Sequence, residues 1–286
     1  MTQATLPIAR TVADLRGTLD AWGAAGQTIG MVPTMGALHD GHLSLIAHTR
    51  ARADRVIASI FVNPTQFAPG EDFDAYPRGE ARDAALLASA GCDLLFAPGA
   101  QEMYPPGFAT TITVSGVSEP LDGRARPAHF SGVATVVAKL LIQARPDVAV
   151  FGEKDYQQLL VIKRLARDLD LPTQILGAPT VRAEDGLALS SRNAYLTPAE
   201  REIAASLNVV LLNLARALAE GAAVAPAEAE AVEALLAAGF ESVDYIEARG
   251  ADDLARLGPG PIGQAPARVL AAARLGQTRL IDNRPV

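Results

Sequence analysis

The sequence predicts an α/β fold, a parallel sheet covered by helices on both faces, followed by a smaller α+β region. Three observations carry this reading. From the start to about Thr180, short β-branched runs alternate with longer stretches of helical period. Several of those stretches close on Gly or Pro, as helix ends do. After Thr180 the texture changes to a Gly- and Ser-bearing loop and then to long Ala- and Leu-rich helices.

In order, strands are expected at 29–32, 56–62, 93–97, 110–114, 148–151 and 173–176, where Val, Ile, Leu and Phe cluster between turn residues. Helices are expected between them at 40–52, 79–90, 130–144 and 154–169. Beyond the change of texture come a helix at 198–220, a second after a short linker, a strand at 243–248, and a hairpin of 268–275 with 278–282 around Gly276. The expected division is residues 1–180 and 181–286, with a hinge, and so a lid, near 180–185. No tandem repeat interrupts this plan.

The chain has 286 residues, nearly half of them apolar, which is enough for two cores. A net charge of -7 argues against a general nucleic-acid binder, which needs a basic surface, but leaves a small anionic ligand open to local cations and helix N-termini. Cys92 is the single cysteine, so no intrachain disulfide or multi-cysteine zinc site can form, and its apolar context suits a buried residue better than a nucleophile. Met1-Thr2-Gln3 lacks the features of a leader and no apolar run approaches membrane-spanning length, the best candidate, Gly132 to Ile142, being interrupted by Lys139, so the expectation is a cytoplasmic protein with no membrane partner.

Four clusters carry chemistry. Met35-Gly36-Ala37-Leu38-His39-Asp40-Gly41-His42 follows the first strong strand, and its glycines admit phosphates close to backbone amides at a helix N-terminus. Neither the Walker A pattern nor a G-x-G-x-x-G fingerprint follows this strand, whereas the H-x-G-H form is that of class I synthetase-like nucleotidyltransferases. Helix capping or an i, i+3 metal pair are the bland alternatives for His39 and His42; the second lacks an evident third ligand. At the end of the second strand, Asn63 and Gln66 offer neutral donors and acceptors between Phe61 and Phe67, suited to a small hydroxylated substrate, or form an ordinary turn.

The third cluster, Gly152-Glu153-Lys154-Asp155 with Gln157 and Gln158, repeats the order of strand, glycine and helix. Lys154, one of three lysines, sits where a helix dipole disfavours a cation, which points to a bound anion or to a structural ion pair. The fourth, Leu189-Ser190-Ser191-Arg192, places two hydroxyls and a guanidinium on the expected hinge, able to clamp phosphate oxygens and exclude water.

Together with Tyr76-Pro77-Arg78, Arg126-Pro127, His129-Phe130 and the segment 274–283, these clusters resemble the pantothenate synthetase (pantoate–β-alanine ligase) family over nearly the whole chain. The resemblance implies a Rossmann-like N-terminal domain, a C-terminal lid and a homodimer. It also implies ATP, (R)-pantoate and β-alanine as substrates, a pantoyl-adenylate intermediate, and a requirement for Mg²⁺. Carried over by motif, Met35 to His42, Gly152 to Asp155, Val181 and Leu189 to Arg192 meet ATP. His39 falls on the position labelled proton donor, Gln66 meets pantoate and β-alanine, and Gln158 meets pantoate. The family often has two adjacent acids shortly after Tyr-Pro-Arg; here Arg82 precedes Asp83, leaving Asp83 as the candidate metal ligand.

The first step needs no general base, because a carboxylate with a pKa near about 4 is already ionised at neutral pH. It needs alignment and charge stabilisation, a task that fits His39, His42, Lys154, Arg192 and Mg²⁺. The competing expectations are another H-x-G-H nucleotidyltransferase or a non-catalytic nucleotide-binding module.

Overall fold

The computed structural model describes residues 6–68 and 70–286; Met1-Thr2-Gln3 lies outside them. Six parallel strands form the first sheet: β1 (Ile8–Ala9), β2 (Ile29–Thr34), β3 (Arg55–Ile60), β4 (Leu94–Phe96), β5 (Val148–Gly152) and β6 (Gln174–Ala178). Their order is β1-β4-β3-β2-β5-β6. Helices α1 (Val12–Ala24), α2 (Asp40–Arg50), α3 (Glu80–Ser89), the short α4 (Ala100–Met103) and α5 (Asp122–Ala125), α6 (His129–Ala144) and α7 (Tyr156–Asp168) connect them. This is the α/β class expected.

The sheet is apolar on both faces because successive side chains point to opposite sides. Met31 packs with Leu15 and Leu19 of α1, Val133 and Leu140 of α6 and Ile162 of α7. Its neighbour Val32 packs on the other face with Leu45 and Ile46 of α2 and Leu87 of α3. Cys92 is buried on that second face, where its Sγ donates to the Val56 and Leu94 carbonyls and burial pushes the thiol up to about 11, as its apolar context implied.

Several elements differ from the sequence reading. Helix α1 was not expected; Thr11 caps it and exchanges hydrogen bonds with Asp14 in a capping box. Residues 110–114 form no strand; they run beside α6, tied by Ile112 N–H to the Thr135 hydroxyl at 2.9 Å and by a Thr113–Ser131 hydroxyl pair at 3.2 Å.

The remainder is smaller and α+β. Helices α8 (Pro198–Ala204), α9 (Ser206–Ala219) and α10 (Val224–Ala238) pack on an antiparallel sheet of β7 (Ser242–Gly250), β8 (Ala267–Leu275) and β9 (Thr278–Pro285). The single helix expected at 198–220 is divided at Ala205. By length and composition the 198–219 stretch equals a membrane span. Its stripe Leu207, Leu211, Leu214 and Leu218, however, falls at helical spacing and is buried against Val269, Ala271 and Leu280.

The two lobes share an apolar contact in which Phe130, Leu160 and Leu165 meet Tyr245, Leu254 and Leu270. At its edge the Tyr245 hydroxyl donates to Asp122 at 3.0 Å and Arg279 to the same carboxylate at 2.6 Å. Residues 181–189, at the expected hinge, form a tight hairpin, with Ala183 and Leu189 amides bonded to the Leu187 and Val181 carbonyls. Arg182 clamps that hairpin to Asp282 of β9 through two bonds, 2.6 and 2.8 Å.

One close approach fixes the turn after β3. A Cβ at Gly132 of α6 would stand 2.3 Å from the Thr65 carbonyl oxygen and 2.8 Å from Gln66 Cα, so only glycine lets α6 and that turn meet. Gly132→Ala is expected to cost roughly 1–3 kcal/mol of stability by overpacking. Urea unfolding followed by circular dichroism checks this, and an unchanged midpoint would count against so tight a contact.

Candidate active site

From β2 the chain runs outward through β3 to β4, then crosses to β5 and β6 on the other side of β2. Connections leaving β2 and β5 therefore diverge, and a crevice opens beyond their carboxyl ends, where open α/β sheets bind ligands. A cavity of about 220 Å³ lies there. His39, Gly41, His42, Gln66, Gly152, Lys154, Asp155, Gln158, Val181 and residues 189–192 line it, with Met35 at the base of the loop. A larger cavity of about 480 Å³ adjoins it between the lobes and shares Met35, Gln66, Lys154, Asp155, Gln158, Ser190 and Arg192.

The loop after β2 sets the histidines. His39 is the N-cap of α2, and its Nδ1 accepts from the Gly41 amide at 3.1 Å. His42 Nδ1 accepts from the His39 amide at 3.4 Å. With both Nδ1 atoms accepting, each neutral ring carries its proton on Nε2. Burial, then the Lys154 charge, brings His39 down to about 4. Burial, then His39 and Lys154, brings His42 to about 3. At neutral pH these are uncharged hydrogen-bond donors, and the rings stand 4.1 Å apart between centroids. The capping reading is thus correct for His39 and compatible with a ligand at Nε2.

Gln66 faces both cavities, while Asn63, expected as a substrate contact, lies behind it at 1 % exposure. The Asn63 amide nitrogen donates to Gln66 Oε1 at 3.1 Å and to the Gly132 carbonyl at 3.2 Å. Its oxygen accepts from the Thr65 amide and hydroxyl and from the Tyr104 hydroxyl. With those groups committed, Asn63 acts as the support of Gln66. A second support comes from residues that individual motifs did not single out. His129 Nδ1 lies 2.8 Å from the Gln66 carbonyl, and Arg126, itself paired with Glu71, reaches His129 Nε2 at 3.1 Å. Burial and then Arg126 lower His129 to about 4, so it is neutral and donates from Nδ1 to that carbonyl.

Gln158 opens on both cavities; its neighbour Gln157 is buried and spans Asp122, Val117 and Pro120. Lys154 lines both cavities and takes part in no ion pair among the described residues, against the structural reading weighed for it. The turn that carries Lys154 is held from the second lobe. Asn283 donates to the Glu153 and Lys154 carbonyls, at 2.9 Å each, while the Glu153 side chain faces Arg268 at 3.5 Å, away from the cavity. Across the mouth, the Ser191 hydroxyl donates to the Ala37 carbonyl at 3.1 Å, and Arg192 holds Asp72 through two bonds, 3.1 and 3.0 Å.

Gly36, Ala37, Leu38 and Asp40 shape the loop without lining either cavity. Asp83, the expected metal ligand, is 2 % exposed, and its two oxygens accept from the Ala37 and Leu38 amides at 2.8 and 3.0 Å. Among the described residues no group of three or more His, Cys, Asp or Glu is arranged to hold a metal ion. The protein atoms alone therefore do not make a metal cage, and the i, i+3 histidine pair stands as two donors.

The resulting site has neutral imidazole donors, a free ammonium and a guanidinium facing amide side chains across a crevice. It can receive a polyanion beside a small polar molecule. Comparisons with known proteins agree with that chemistry. Residues 7–285 match the family model described as pantoate-beta-alanine ligase. The pantothenate synthetase of Caulobacter vibrioides is 65% identical over 279 residues, covering 98% of each chain. The crystal structure of the enzyme from Thermus thermophilus is 48% identical, with a TM-score of 0.90 over 98% of this chain and 99% of that one. That of the Francisella tularensis ligase, complexed with beta-gamma ATP and beta-alanine, is 36% identical, with a TM-score of 0.83 over 98% and 97%. The chain belongs to the pantoate–β-alanine ligase family.

Proposed function

We propose that this chain joins (R)-pantoate to β-alanine at the expense of ATP, through pantoyl adenylate, with release of pyrophosphate and then AMP and pantothenate. The observation that carries this reading is the convergence of His39, His42, Lys154 and Arg192 with Gln66 and Gln158 on one crevice. A nucleotide-binding module needs the first four; an acyl-adenylate ligase also needs the amides that orient an acid beside the α-phosphorus.

In the first step a pantoate carboxylate oxygen attacks the α-phosphorus and pyrophosphate leaves. Negative charge grows on phosphoryl oxygens, and Nε2–H donors, Lys154 and Arg192 stabilise it without reorganising. Mg²⁺ bound to the ATP phosphates would neutralise part of their charge, and Lys154 and Arg192 share that task from the protein side. Arg192 is held by Asp72 until phosphate oxygens compete for it. In the second step the neutral amine of β-alanine attacks the acyl carbon. The C–N bond forms, the acyl–phosphate C–O bond breaks, AMP takes the electron pair, and the nitrogen gives up a proton. The larger adjoining cavity, which shares Gln66 and Gln158, is the route for that amine. Residues 190–192 and the second lobe act as the lid that keeps water from the anhydride.

In the unliganded site burial and Lys154 hold His39 down to about 4, and its Nδ1 accepts from the Gly41 amide, so we assign it the role of a hydrogen-bond donor rather than of a proton donor. His39→Gln is expected to slow adenylate formation by roughly 10²–10³-fold at every pH from about 5.5 to 8, with the shape of the profile unchanged. A wild-type profile with an apparent pKa near about 6.5 that vanishes in the variant would establish proton donation instead.

The family resemblance also carries a cytoplasmic homodimer into this proposal. Purified protein should convert ATP, pantoate and β-alanine with Mg²⁺ into equal amounts of pantothenate and AMP, and light scattering should give twice the 29.8 kDa chain mass. Product formation without β-alanine beyond one adenylate per site, or no pantothenate at all, would overturn the reading. A monomeric mass would remove the dimer alone.

A further inference from the structure

We propose that Asp83 is a positioning residue that braces the phosphate loop in its ligand-receiving shape, and that it does so instead of ligating a metal. The loop has an improbable backbone: Gly36 and Ala37 both lie in the left-handed region, with φ of 85° and 52°. Alanine there is disfavoured by its Cβ, and such a conformation persists only where its surroundings over-determine it. Asp83 provides that determination. Its carboxylate sits 45 and 46 residues away in sequence, yet each oxygen takes one of two successive amides, Ala37 at 2.8 Å and Leu38 at 3.0 Å.

The chemistry suits the task. A carboxylate is the compact group with two equivalent acceptors, and charge-assisted bonds to backbone N–H are strong in a buried setting. Asp83 lies in the first turn of α3, whose dipole favours its negative charge. A metal ion on the same oxygens would face the positive ends of both N–H dipoles. The fit around Gly36 is equally close: a Cβ there would come within 3.0 Å of Asp83 Oδ2.

What the brace fixes is functional. Thr34 supports the other end of the turn, its hydroxyl accepting from the Gly36 amide at 3.1 Å and donating to the Ser59 carbonyl at 2.7 Å. Once Ala37 and Leu38 are pinned, the next residue is His39, which caps α2 and lines the crevice. The Ala37 carbonyl is also where Ser191 docks. One carboxylate thus ties α3 to the loop, to both histidines and to the segment across the mouth.

The inference rests on the ATP reading for its functional consequence but not for its structural one, and the test separates them. Asp83→Asn is nearly isosteric; it keeps one acceptor and turns an amide NH₂ toward the other backbone N–H. In metal-free and ATP-free protein, hydrogen exchange at Ala37 and Leu38 is expected to quicken at least tenfold in the variant, with exchange across α9 unchanged. The KM for ATP should rise tenfold or more, while the Mg²⁺ concentration giving half-maximal rate at saturating ATP stays within twofold. Asp83→Ala should show the same pattern more strongly; should it fail to fold, the Asn variant decides. Unchanged exchange at the two amides overturns the proposal, as does a tenfold shift in Mg²⁺ dependence without faster exchange. Faster exchange with no effect of the variant on ATP confines Asp83 to the fold and counts against the ATP reading of the loop.

Discussion

The site depends on the pairing of β2 with β5. Gly30 lies beside Val148 and Met31 beside Ala149, although the two strands are far apart in sequence. Asp147 seals the start of that pair by accepting from the Ile29 amide at 2.7 Å. Because the chain leaves β2 in one direction and returns to its other side at β5, the loop and first turn of α2 bearing His39 and His42, and the turn and first residues of α7 bearing Lys154 and Gln158, end on facing walls. A parallel ladder has no freedom to slip by one residue without moving the buried sets at Met31 and Val32 to the wrong faces. The position of the crevice follows from the hydrophobic effect before any ligand is considered.

On that frame the electrostatics are arranged for an anion. The two histidines are neutral because burial and Lys154 oppose their protonation, and their tautomers are set by backbone amides at Nδ1. This has a thermodynamic consequence. Their folded pKa values lie below the unfolded value of about 6.5, so the unfolded chain takes up protons that the folded chain refuses. The contribution to stability is whole above about pH 6.5 and is lost as pH falls through about 4 for His39 and about 3 for His42. Positive charge in the crevice then comes from Lys154 and Arg192, the one turned into the cavities and the other held by Asp72 at the mouth. Residues from the β3–β4 and β4–β5 connections and from the second lobe keep this set in place, through Asn63, Asp83, His129 and Asn283.

Much of this was legible in the sequence for identifiable reasons. The central strands are short β-branched runs buried on both faces, and the glycine-bearing loops that follow them are the places where such sheets bind anions. Helix α1 escaped because Gly17 and Gly23 dilute its helical pattern, although Thr11 and Asp14 mark its start. Residues 110–114 have strand composition, but composition does not say whether a strand has a partner; theirs is the flank of α6. The supporting residues were the hardest. Asn63 and Asp83 are polar residues next to recognised motifs, so each reads as a ligand contact until the structure buries it. Gln157 and Gln158 are adjacent and identical in type, and only the phase of α7 decides that the first spans buried carbonyls at the wall of the larger cavity while the second opens on both cavities.

The central claim is that the crevice first activates an acid with ATP and only then admits an amine. The most direct measurement is exchange of labelled pyrophosphate into ATP by the purified protein with Mg²⁺ and pantoate, β-alanine being left out. Exchange that requires pantoate is expected, as reversible adenylate formation demands. Exchange independent of pantoate, or none until β-alanine is added, would contradict it.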